Sequence, residues 1–520
     1  MANTQLFRSL RGLLSRRTDT SNAHGAPAYT RSPEAALALY ACTGCLNGTF
    51  YAEAGTQLGE VLALAHAVPP AYLARTAILA REEGRMKDMP LLLLALLSLR
   101  DGEAFEAAFP RVVDNGRQLR SFVQIMRSGQ VGRKSLGTRP KRLVQAWLAN
   151  ATPTQLIGAA VGEKPSLADV LKMVHPKPAD AERQTLYAWL VGRPHDVALL
   201  PQVLRDDAAF REDATRPLPA LPFAYLSSRS LSVEHWKALA RRVSWQTLRM
   251  NLNTFLRNGV FEDPALVAAV AARLADPEEV RRSGVLPYQL MAAWKHADET
   301  LPAVIRGALE VAMEIATASV PRLQGGLAIA VDVSGSMGTP LTGYRKGGTS
   351  KLRCVDAAAL LAASLWRANP QARVLPFDTE VRRVALSASD PLAKSAESLA
   401  ALCGGGTAVS APLVALNRAK AGVSLVVLVS DNESWRDTRQ GPGTATMQEW
   451  AALKARCPAA KLVCVDLQPV PTSQSDERPD VLHVGGFSDA VFERIAAFAG
   501  GSAGEAEAAR WQARVEAVAL

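Results

Sequence analysis

Residues 325–336 have the sequence GGLAIAVDVSGS, and this stretch decides the fold of the C-terminal third of the chain. An unbroken apolar run that ends directly at an aspartate is typical of a strand buried on both faces of a parallel sheet. Strand-like and helix-like segments then alternate as far as residue 500, with strand-like runs at 372–378 and 380–386 among them. This alternation predicts an α/β doubly wound domain over residues 321–500. Residues 501–520, rich in Ala and Glu, are predicted to form one further helix outside it.

Three loops of this domain carry oxygen-bearing side chains to one edge of the predicted sheet. The first strand runs into Asp332, Ser334 and Ser336, a Gly-rich loop precedes Thr407, and a later apolar strand ends at Asp431. Ligands of open parallel sheets bind beyond the carboxyl ends of the strands. Two carboxylates and three hydroxyls form a hard oxygen set that suits Mg²⁺, or else Mn²⁺, and disfavours zinc. The five residues are therefore predicted to bind a divalent cation.

Enzymatic activity is not expected. A nucleophile elbow needs glycine two residues before and after its serine, whereas Ser334 lies in Asp-Val-Ser-Gly-Ser. The one histidine that follows in this domain, His483, falls on a late strand. The chain also lacks the GxxxxGK[ST] loop of nucleotide hydrolases.

Residues 33–320 consist almost entirely of predicted helices. Apolar residues recur there at three- and four-residue steps with charges on the opposite face, and short breaks contain Pro, Gly, Asp or Ser. Roughly sixteen short amphipathic helices in succession are typical of an α-solenoid of stacked pairs. Because no strict sequence period is present, degenerate HEAT-like repeats are predicted for residues 1–320.

Positive charge is concentrated in one part of this helical region. The chain has a formal net charge of +10, and residues 111–142 hold nine basic residues and one acidic residue. Arg117, Arg120 and Arg127 share one face of a predicted helix because of their spacing. A Gly-rich connector and the next helix add Arg133, Lys134, Arg139, Lys141 and Arg142. Such a cluster is typical of a surface that binds nucleic-acid phosphates, although a solvated charged face is the simpler alternative.

A second basic group ends the helix predicted within SLADVLKMVHPKP, residues 166–178. Lys172, His175 and Lys177 lie close together at its C-terminal end, and they complete the predicted nucleic-acid surface. The simpler interpretation of a histidine there is a cap that interacts with the helix dipole. The basic residues of the segment REEGRMKD, residues 81–88, are diluted by three acidic neighbours, so they are left out of the predicted surface.

Composition and cysteine content predict a cytoplasmic protein without a membrane partner. The longest apolar run, Met89–Leu99, is about half of the roughly 20 residues that a bilayer span needs and is predicted to be a buried helix. The first 20 residues have no uninterrupted apolar stretch, which argues against a secretory signal. Six cysteines favour a reducing compartment, and the pair Cys42 and Cys45 is interpreted as two small thiols, buried or half-buried.

Eight segments, taken in order, resemble the Ro autoantigen family, in which a helical TROVE module is joined to a von Willebrand factor A domain. The helical segments are CLNGTFYAEA (45–54), MRSGQVGRKSL (126–136), DVLKMVHPKP (169–178), WQTLRMNLNTF (245–255) and VLPYQLMAAW (285–294). The A-domain segments are LAIAVDVSGSM (327–337), GGGTAVSAPL (404–413) and VVLVSDNESW (426–435). The DxSxS…T…D pattern within them resembles the metal-ion-dependent adhesion site of A domains.

The resemblance implies both an architecture and a function. The HEAT-like repeats would form a ring that the A domain closes. The ring hole would take single-stranded 3′ ends of misfolded noncoding RNA, and the basic outer surface would bind small Y RNAs, in RNA quality control and stress survival. The Ala- and Arg-rich composition favours a bacterial member of the family.

The resemblance also implies roles for single residues. Asp332 would bind the cation with its neighbouring hydroxyls and Thr407, and Asp431 would act mainly through water. A partner's carboxylate could take the remaining position, so the cation is either structural or recruits a protein such as an exoribonuclease. Lys172 and His175 fall at basic positions of the family, whereas the basic run that precedes this helix in the family is absent here.

Two other functions stay open on the sequence alone. One is a metal-dependent protein-interaction or co-chaperone scaffold whose basic patch is incidental. The other is an RNA-processing nuclease, although the helical region lacks a clustered set of carboxylates. Binding to an unpaired 3′ tail distinguishes the first, and incubation of RNA with Mg²⁺ distinguishes the second.

Overall fold

The structure is a computed structural model that describes residues 16–162, 165–318, 320–344, 352–437, 442–486, 488 and 490–520. Most of the N-terminal segment on which the prediction about a secretory signal rests lies outside these residues. None of the helices in the described ranges combines the length and the apolar character that crossing a bilayer requires.

The N-terminal part consists of two short strands and a long series of helices. The strands are β1 (Thr20–Ser21) and β2 (Pro27–Thr30). In the described ranges nineteen α-helices follow: α1 (Pro33–Thr43), α2 (Ala54–Ala67), α3 (Pro70–Glu82), α4 (Met89–Arg100), α5 (Gly102–Val112), α6 (Gly116–Arg127), α7 (Thr138–Asn150), α8 (Pro153–Ala160), α9 (Leu167–Val174), α10 (Ala181–Leu190), α11 (Gln202–Glu212), α12 (Phe223–Leu226), α13 (Val233–Arg242), α14 (Trp245–Met250), α15 (Leu252–Arg257), α16 (Pro264–Leu274), α17 (Pro277–Ser283), α18 (Pro287–His296) and α19 (Ala303–Ala316).

Several of these helices begin at a residue whose side chain caps the helix. Ser32 accepts a hydrogen bond from the N–H of Ala35 at the start of α1, and Asn115 does the same for α6. Such side chains satisfy N–H groups that have no partner within the helix. The apolar run of α4 is buried in the helical core from Met89 to Leu97, as predicted, whereas Leu99 at its end is 44% exposed. Cys42 is buried, Cys45 is half-buried, and both are free thiols.

The C-terminal part alternates strands and helices. Its elements are β3 (Leu327–Asp332), α20 (Cys354–Ala368), β4 (Arg373–Phe377), α21 (Leu392–Ala400), α22 (Ala411–Arg418), β5 (Leu425–Ser430), α23 (Ala445–Arg456), β6 (Lys461–Asp466), β7 (Thr472–Ser473), β8 (Val481–Gly485), α24 (Ala490–Gly500), α25 (Ala503–Ala508) and α26 (Trp511–Glu516). Five strands form a parallel sheet in the order β4-β3-β5-β6-β8. The winding reverses between β3 and β5, where doubly wound sheets bind ligands.

Two local predictions for this part were wrong. Residues 380–386 form no strand, because the chain turns back after β4: the Arg382 N–H donates to the Pro376 carbonyl at 2.7 Å, and its guanidinium pairs with Asp378. Residues 501–520 contain two short helices rather than one. The second, α26, packs against α1 and α3 with Trp511 buried.

The helical series starts and ends against the α/β domain. α1 contacts β8, while α18 and α19 contact α20 and α21. Lys295 of α18 forms an ion pair with the fully buried Asp356 of α20, with 2.7 Å between Nζ and Oδ1. In between, helices contact near neighbours in the series, as α4 does α6 and α16 does α19. The chain therefore forms a closed circuit of helical repeats and one doubly wound domain, and the predicted fold class is confirmed.

The N-terminal segment is fastened to the carboxyl edge of the sheet. β2 pairs antiparallel with β7. Arg31, directly after β2, donates to Oδ2 of Asp466 at 3.0 Å, and the two side chains are 2% and 1% exposed. Because breaking a buried ion pair leaves an uncompensated charge, this pair holds the segment beside the end of β6.

Candidate cation site and basic groove

The loop after β3 folds back on itself at the carboxyl edge of the sheet. The Ser334 N–H donates to Oδ1 of Asp332 at 2.9 Å, and the hydroxyls of Ser334 and Ser336 are 3.2 Å apart. A 3₁₀ turn over Gly335–Gly338 holds this arrangement. The carboxylate and both hydroxyls are thus directed to one side of the loop.

Two further loops meet the first one. The Gly335 N–H donates to the carbonyl of Gly405, whose φ of +78° suits glycine. This brings the Gly-rich loop, and Thr407 with it, beside the β3 loop. The hydroxyl of Ser430, at the end of β5, donates to Oδ2 of Asp332 at 2.6 Å and so places Asp431 next to it. The structure brings all five residues of the predicted cation site to one edge of the sheet.

Two carboxylates in this site lack a counter-charge among the residues that the structure describes. Burial, with the nearby Asp431 charge, raises the pKa of Asp332 to about 7. Burial also raises the pKa of Asp431. Within the described ranges no lysine, arginine or histidine forms an ion pair with either carboxylate. A bound cation would supply the missing charge, so the residues present fit a divalent cation.

The donor set agrees with a hard cation. Among the described residues no group of three His, Cys, Asp or Glu side chains is placed to hold a metal ion. A cation at the β3 edge would therefore depend on serine and threonine hydroxyls beside two carboxylates. Such a set suits Mg²⁺ or Mn²⁺ better than zinc.

Tyr51 also reaches this site, which sequence reasoning missed. It belongs to the segment between α1 and α2, and its hydroxyl donates to Oδ2 of Asp431 at 3.0 Å. The two residues are 380 positions apart in the chain. No local sequence signal indicates such a contact, because it depends on how the helical series closes onto the α/β domain.

The basic residues of α6 line a groove between this helix and α9. Two adjoining depressions of about 370 and 480 Å³ share Gln124 and Pro165 in their walls. Arg117 lines the first, while Arg127 and Lys172 line the second, and all three side chains are exposed. The structure therefore joins the basic face of α6 to the lysine of α9, which the sequence placed on a separate helix.

Arg120 builds the wall of this groove. It is 7% exposed and donates to the carbonyls of Val161, at 2.9 Å, and Pro165. Burial, with the neighbouring Arg117, lowers the pKa of its guanidinium. Arg120 is thus bonded to the backbone that faces α6, while Arg117 and Arg127 remain exposed to the groove.

The other predicted basic residues lie around the groove rather than in it. Arg139 and Arg142 both pair with Glu106 of α5. His175 is the C-cap of α9, with an exposed side chain and a left-handed backbone, φ 49°. The remaining four are exposed or half-buried on the connector, on α7 and beyond α9: Arg133, Lys134, Lys141 and Lys177.

Sequence reasoning missed a set of basic residues that faces Arg117. Lys87 lies between α3 and α4. Its side chain is accessible to water, but protein atoms around it remove part of its hydration. Its desolvation, with the charges of Arg117 and Arg249 among others, lowers its pKa. Arg249 of α14 is itself buried and donates to Gln246 and to the carbonyl of Gln289, so the exposed basic groups that converge here are Lys87 and Arg117.

The acidic neighbours of Lys87 in the sequence concealed this convergence. Glu82 pairs with Arg111, and Glu83 pairs with Arg514 of α26. Two of the three acids that were expected to dilute the positive charge are therefore engaged with arginines outside the 81–88 segment. Counting acidic and basic residues along the 81–88 segment therefore did not predict which of its charges are neutralised in the folded protein.

Comparison with known proteins agrees with the predicted family. Residues 327–499 match a family described as the Ro60 vWA domain. The RNA-binding protein RO60 of Deinococcus radiodurans is 28% identical, over 92% of this chain and 95% of that protein. The crystal structure of the Deinococcus radiodurans RO (RSR) protein has a TM-score of 0.60 and 24% identity, and the match covers 91% of this chain and 100% of that one. The resemblance to the Ro family, and the fold that it implies, are confirmed.

Proposed function

We propose that this chain, which is similar to Ro proteins over most of its length, binds RNA and holds unpaired 3′ ends of noncoding RNA against the basic inner side of its helical circuit. The carrying observation is the groove between α6 and α9, which the exposed Arg117, Arg127 and Lys172 line. A similar protein is named an RNA-binding protein, which supports the same class of ligand.

The physical basis is the repulsion among exposed basic groups, which outnumber the acidic groups near them, Asp88 beside Lys87 and Asp169 in the groove wall. A polyanion lowers that electrostatic energy and releases its own condensed counterions when it binds. The groove beside α6 extends this surface through Arg127 and Lys172. Single-stranded RNA is commonly held by such grooves, since its backbone can follow a narrow concave path.

The finer role belongs to the same proposal. The outer basic residues of the connector and α7 would bind small structured Y RNAs. The protein would then act in quality control of misfolded noncoding RNA and in stress survival, in the cytoplasm and without catalysing a reaction. The charge of Arg139 and Arg142 supports this surface, although both share Glu106.

A divalent cation, Mg²⁺ or in its place Mn²⁺, is proposed for the site at the end of β3. Asp332, Ser334, Ser336, Thr407 and Asp431 would hold it. Its support is the pair of buried carboxylates that no basic residue of the described ranges neutralises. In this proposal the cation holds together the three loops at the carboxyl edge of the sheet.

The proposal predicts a preference for unpaired RNA ends. A hairpin with a single-stranded 3′ tail should bind at least about tenfold more tightly than the same hairpin with its tail fully paired, because a duplex is too wide and stiff for the groove. Fluorescence anisotropy over a range of salt concentrations measures both affinities. The logarithm of the tailed RNA's affinity should fall linearly with the logarithm of salt concentration.

Equal affinities for tailed and paired RNA would contradict the proposed placement of RNA. No measurable affinity for either would favour the alternative function, a metal-dependent protein-interaction scaffold. Degradation of the RNA in Mg²⁺ by the protein, abolished by Asp332→Ala, would contradict the non-enzymatic part of the proposal.

A further inference from the structure

The segment between α1 and α2 crosses from the helical circuit to the α/β domain. The Tyr344 N–H donates to the carbonyl of Gly48 at 2.6 Å, and Nδ2 of Asn47 donates to the carbonyl of Thr342 at 2.7 Å. The Thr342 carbonyl and the Tyr344 N–H both belong to the stretch of the α/β domain that follows the β3 loop. The segment is thus held beside the proposed cation site by its backbone and by one side chain.

Tyr51 extends from this segment into the cation site. Its hydroxyl donates to Oδ2 of Asp431 at 3.0 Å. The phenol oxygen therefore contacts one of the five predicted cation-binding residues directly.

The cation site is closed to solvent. Asp332, Ser334 and Asp431 are 0% exposed, Thr407 is 2% exposed and Ser336 is 5% exposed. Tyr51 of the α1–α2 segment and Asn22 of the N-terminal segment are among the residues that contact the loop carrying Asp431.

A second layer of contacts keeps Tyr51 in place. The ring of His24 lies edge-on to Tyr51, with 5.6 Å between centroids, and 5.9 Å from Trp435. Next to His24, Nδ2 of Asn22 donates to the carbonyl of Ser434 at 2.6 Å. The tyrosine is therefore enclosed between the N-terminal segment and the loop that carries Asp431.

We propose that Tyr51 covers the outer face of the cation site. Its hydroxyl occupies the side from which the carboxylate of another protein would approach the cation. The inference rests on the proposed cation site. It follows that cation binding joins the helical circuit to the α/β domain through the chain's own residues. An acidic group of a partner gains access only when the segment around Tyr51 withdraws.

The number of water molecules that exchange on the bound cation tests this inference. Mn²⁺ is the probe, because its unpaired electrons accelerate the relaxation of protons in water that exchanges with its coordination sphere. Tyr51→Ala should raise the water-proton relaxation per bound Mn²⁺ about twofold, since a small residue leaves the outer face open to water. Tyr51→Phe, which keeps the ring and removes the hydroxyl, should give a smaller increase.

Phe50→Ala is the matched control. Phe50 is the adjacent aromatic residue, contacts the Tyr51 ring edge-on at 5.1 Å and is 52% exposed. Its removal should leave the relaxation per bound Mn²⁺ unchanged. If Tyr51→Ala does not fold, as judged by circular dichroism, the comparison of Tyr51→Phe with wild type decides.

The outcomes separate this inference from the proposal on which it rests. If wild-type protein binds no Mn²⁺, or if Asp332→Ala binds it as wild type does, the proposed cation site is wrong and the role of Tyr51 with it. If wild-type protein binds Mn²⁺ through Asp332 but the folded Tyr51 variants leave relaxation unchanged, the cation site stands and the capping role of Tyr51 is wrong.

Discussion

Replacing Arg117, Arg127 and Lys172 together with glutamate is expected to weaken binding of an unpaired RNA 3′ tail by about 100-fold or more at low salt. These three exposed side chains line the groove between α6 and α9. Each neutralises backbone phosphate in the proposed complex, and the reversed charges repel it. Because the contacts are with phosphate, the loss should be similar for tails of different sequence.

The salt dependence gives a second measure of the same contacts. Loss of three phosphate contacts on a single strand should reduce the slope of log affinity against log salt by about 2. Titrations by fluorescence anisotropy at several salt concentrations provide both quantities. Circular dichroism should show an unchanged fold, because none of the three side chains is buried.

The control for this experiment has the same change in net charge. Arg322, Arg383 and Arg418 are exposed and lie away from the groove, before and within the α/β domain. Their joint replacement with glutamate should weaken binding much less, through long-range electrostatics alone. Equal losses for the two triple variants would show that net charge, and not the groove, determines RNA affinity.

Asp332→Asn is expected to abolish tight binding of Mg²⁺ or Mn²⁺ while stabilising the cation-free protein at neutral pH. The carboxylate is fully buried beside Asp431, and its pKa is raised. The native state therefore retains a proton that the unfolded state releases. Without a cation, the free energy of unfolding should fall as the pH rises from the ordinary value near 3.8 to about 7. The asparagine variant lacks this loss because it carries no charge.

Asp378→Asn is the matched control, and its expected effect on stability at neutral pH is opposite to that of Asp332→Asn. Asp378 is also buried near the Gly-rich loop, but Arg382 donates to its Oδ2 at 2.6 Å. Burial alone would raise the pKa of Asp378, but its hydrogen bonds and the charge of Arg382 outweigh burial, so the pKa is lowered. Its substitution should destabilise the protein at neutral pH and leave cation binding intact. Thermal unfolding with EDTA and with Mg²⁺ measures both effects. A cation-free Asp332→Asn protein that is less stable than wild type at pH 7 would contradict the account of this site.

The sequence predicted features that depend on local pattern. The apolar runs of β3 and β5 indicated parallel neighbours, and parallel pairing of Val331 with Val429 brings Asp332 and Asp431 to the same edge. The helical spacing of Arg117 and Arg127 likewise indicated a shared face. In these cases one rule of strand or helix geometry relates the sequence position to the place in space.

Contacts between residues far apart in the chain could not be predicted from the sequence. The hydroxyl of Tyr51 reaches Asp431 only because the helical circuit returns to the α/β domain. Glu82 and Glu83, the acidic neighbours of Lys87 in the sequence, pair with arginines from other elements. Neither the contact nor the pairing leaves a local signal, since each partner lies on a separate helix or domain.

Photochemical crosslinking tests the central claim most directly. That claim is that unpaired RNA lies against the basic surface formed by Lys87 and the groove between α6 and α9. A hairpin with a thiouridine in its 3′ tail is bound, irradiated and digested, and the crosslinked peptides are identified by mass spectrometry. The account predicts crosslinks within residues 84–88, on α6 and around Lys172 of α9, and these crosslinks should disappear when the tail is paired. Crosslinks confined to the surface of the α/β domain, in a complex of full affinity, would contradict it.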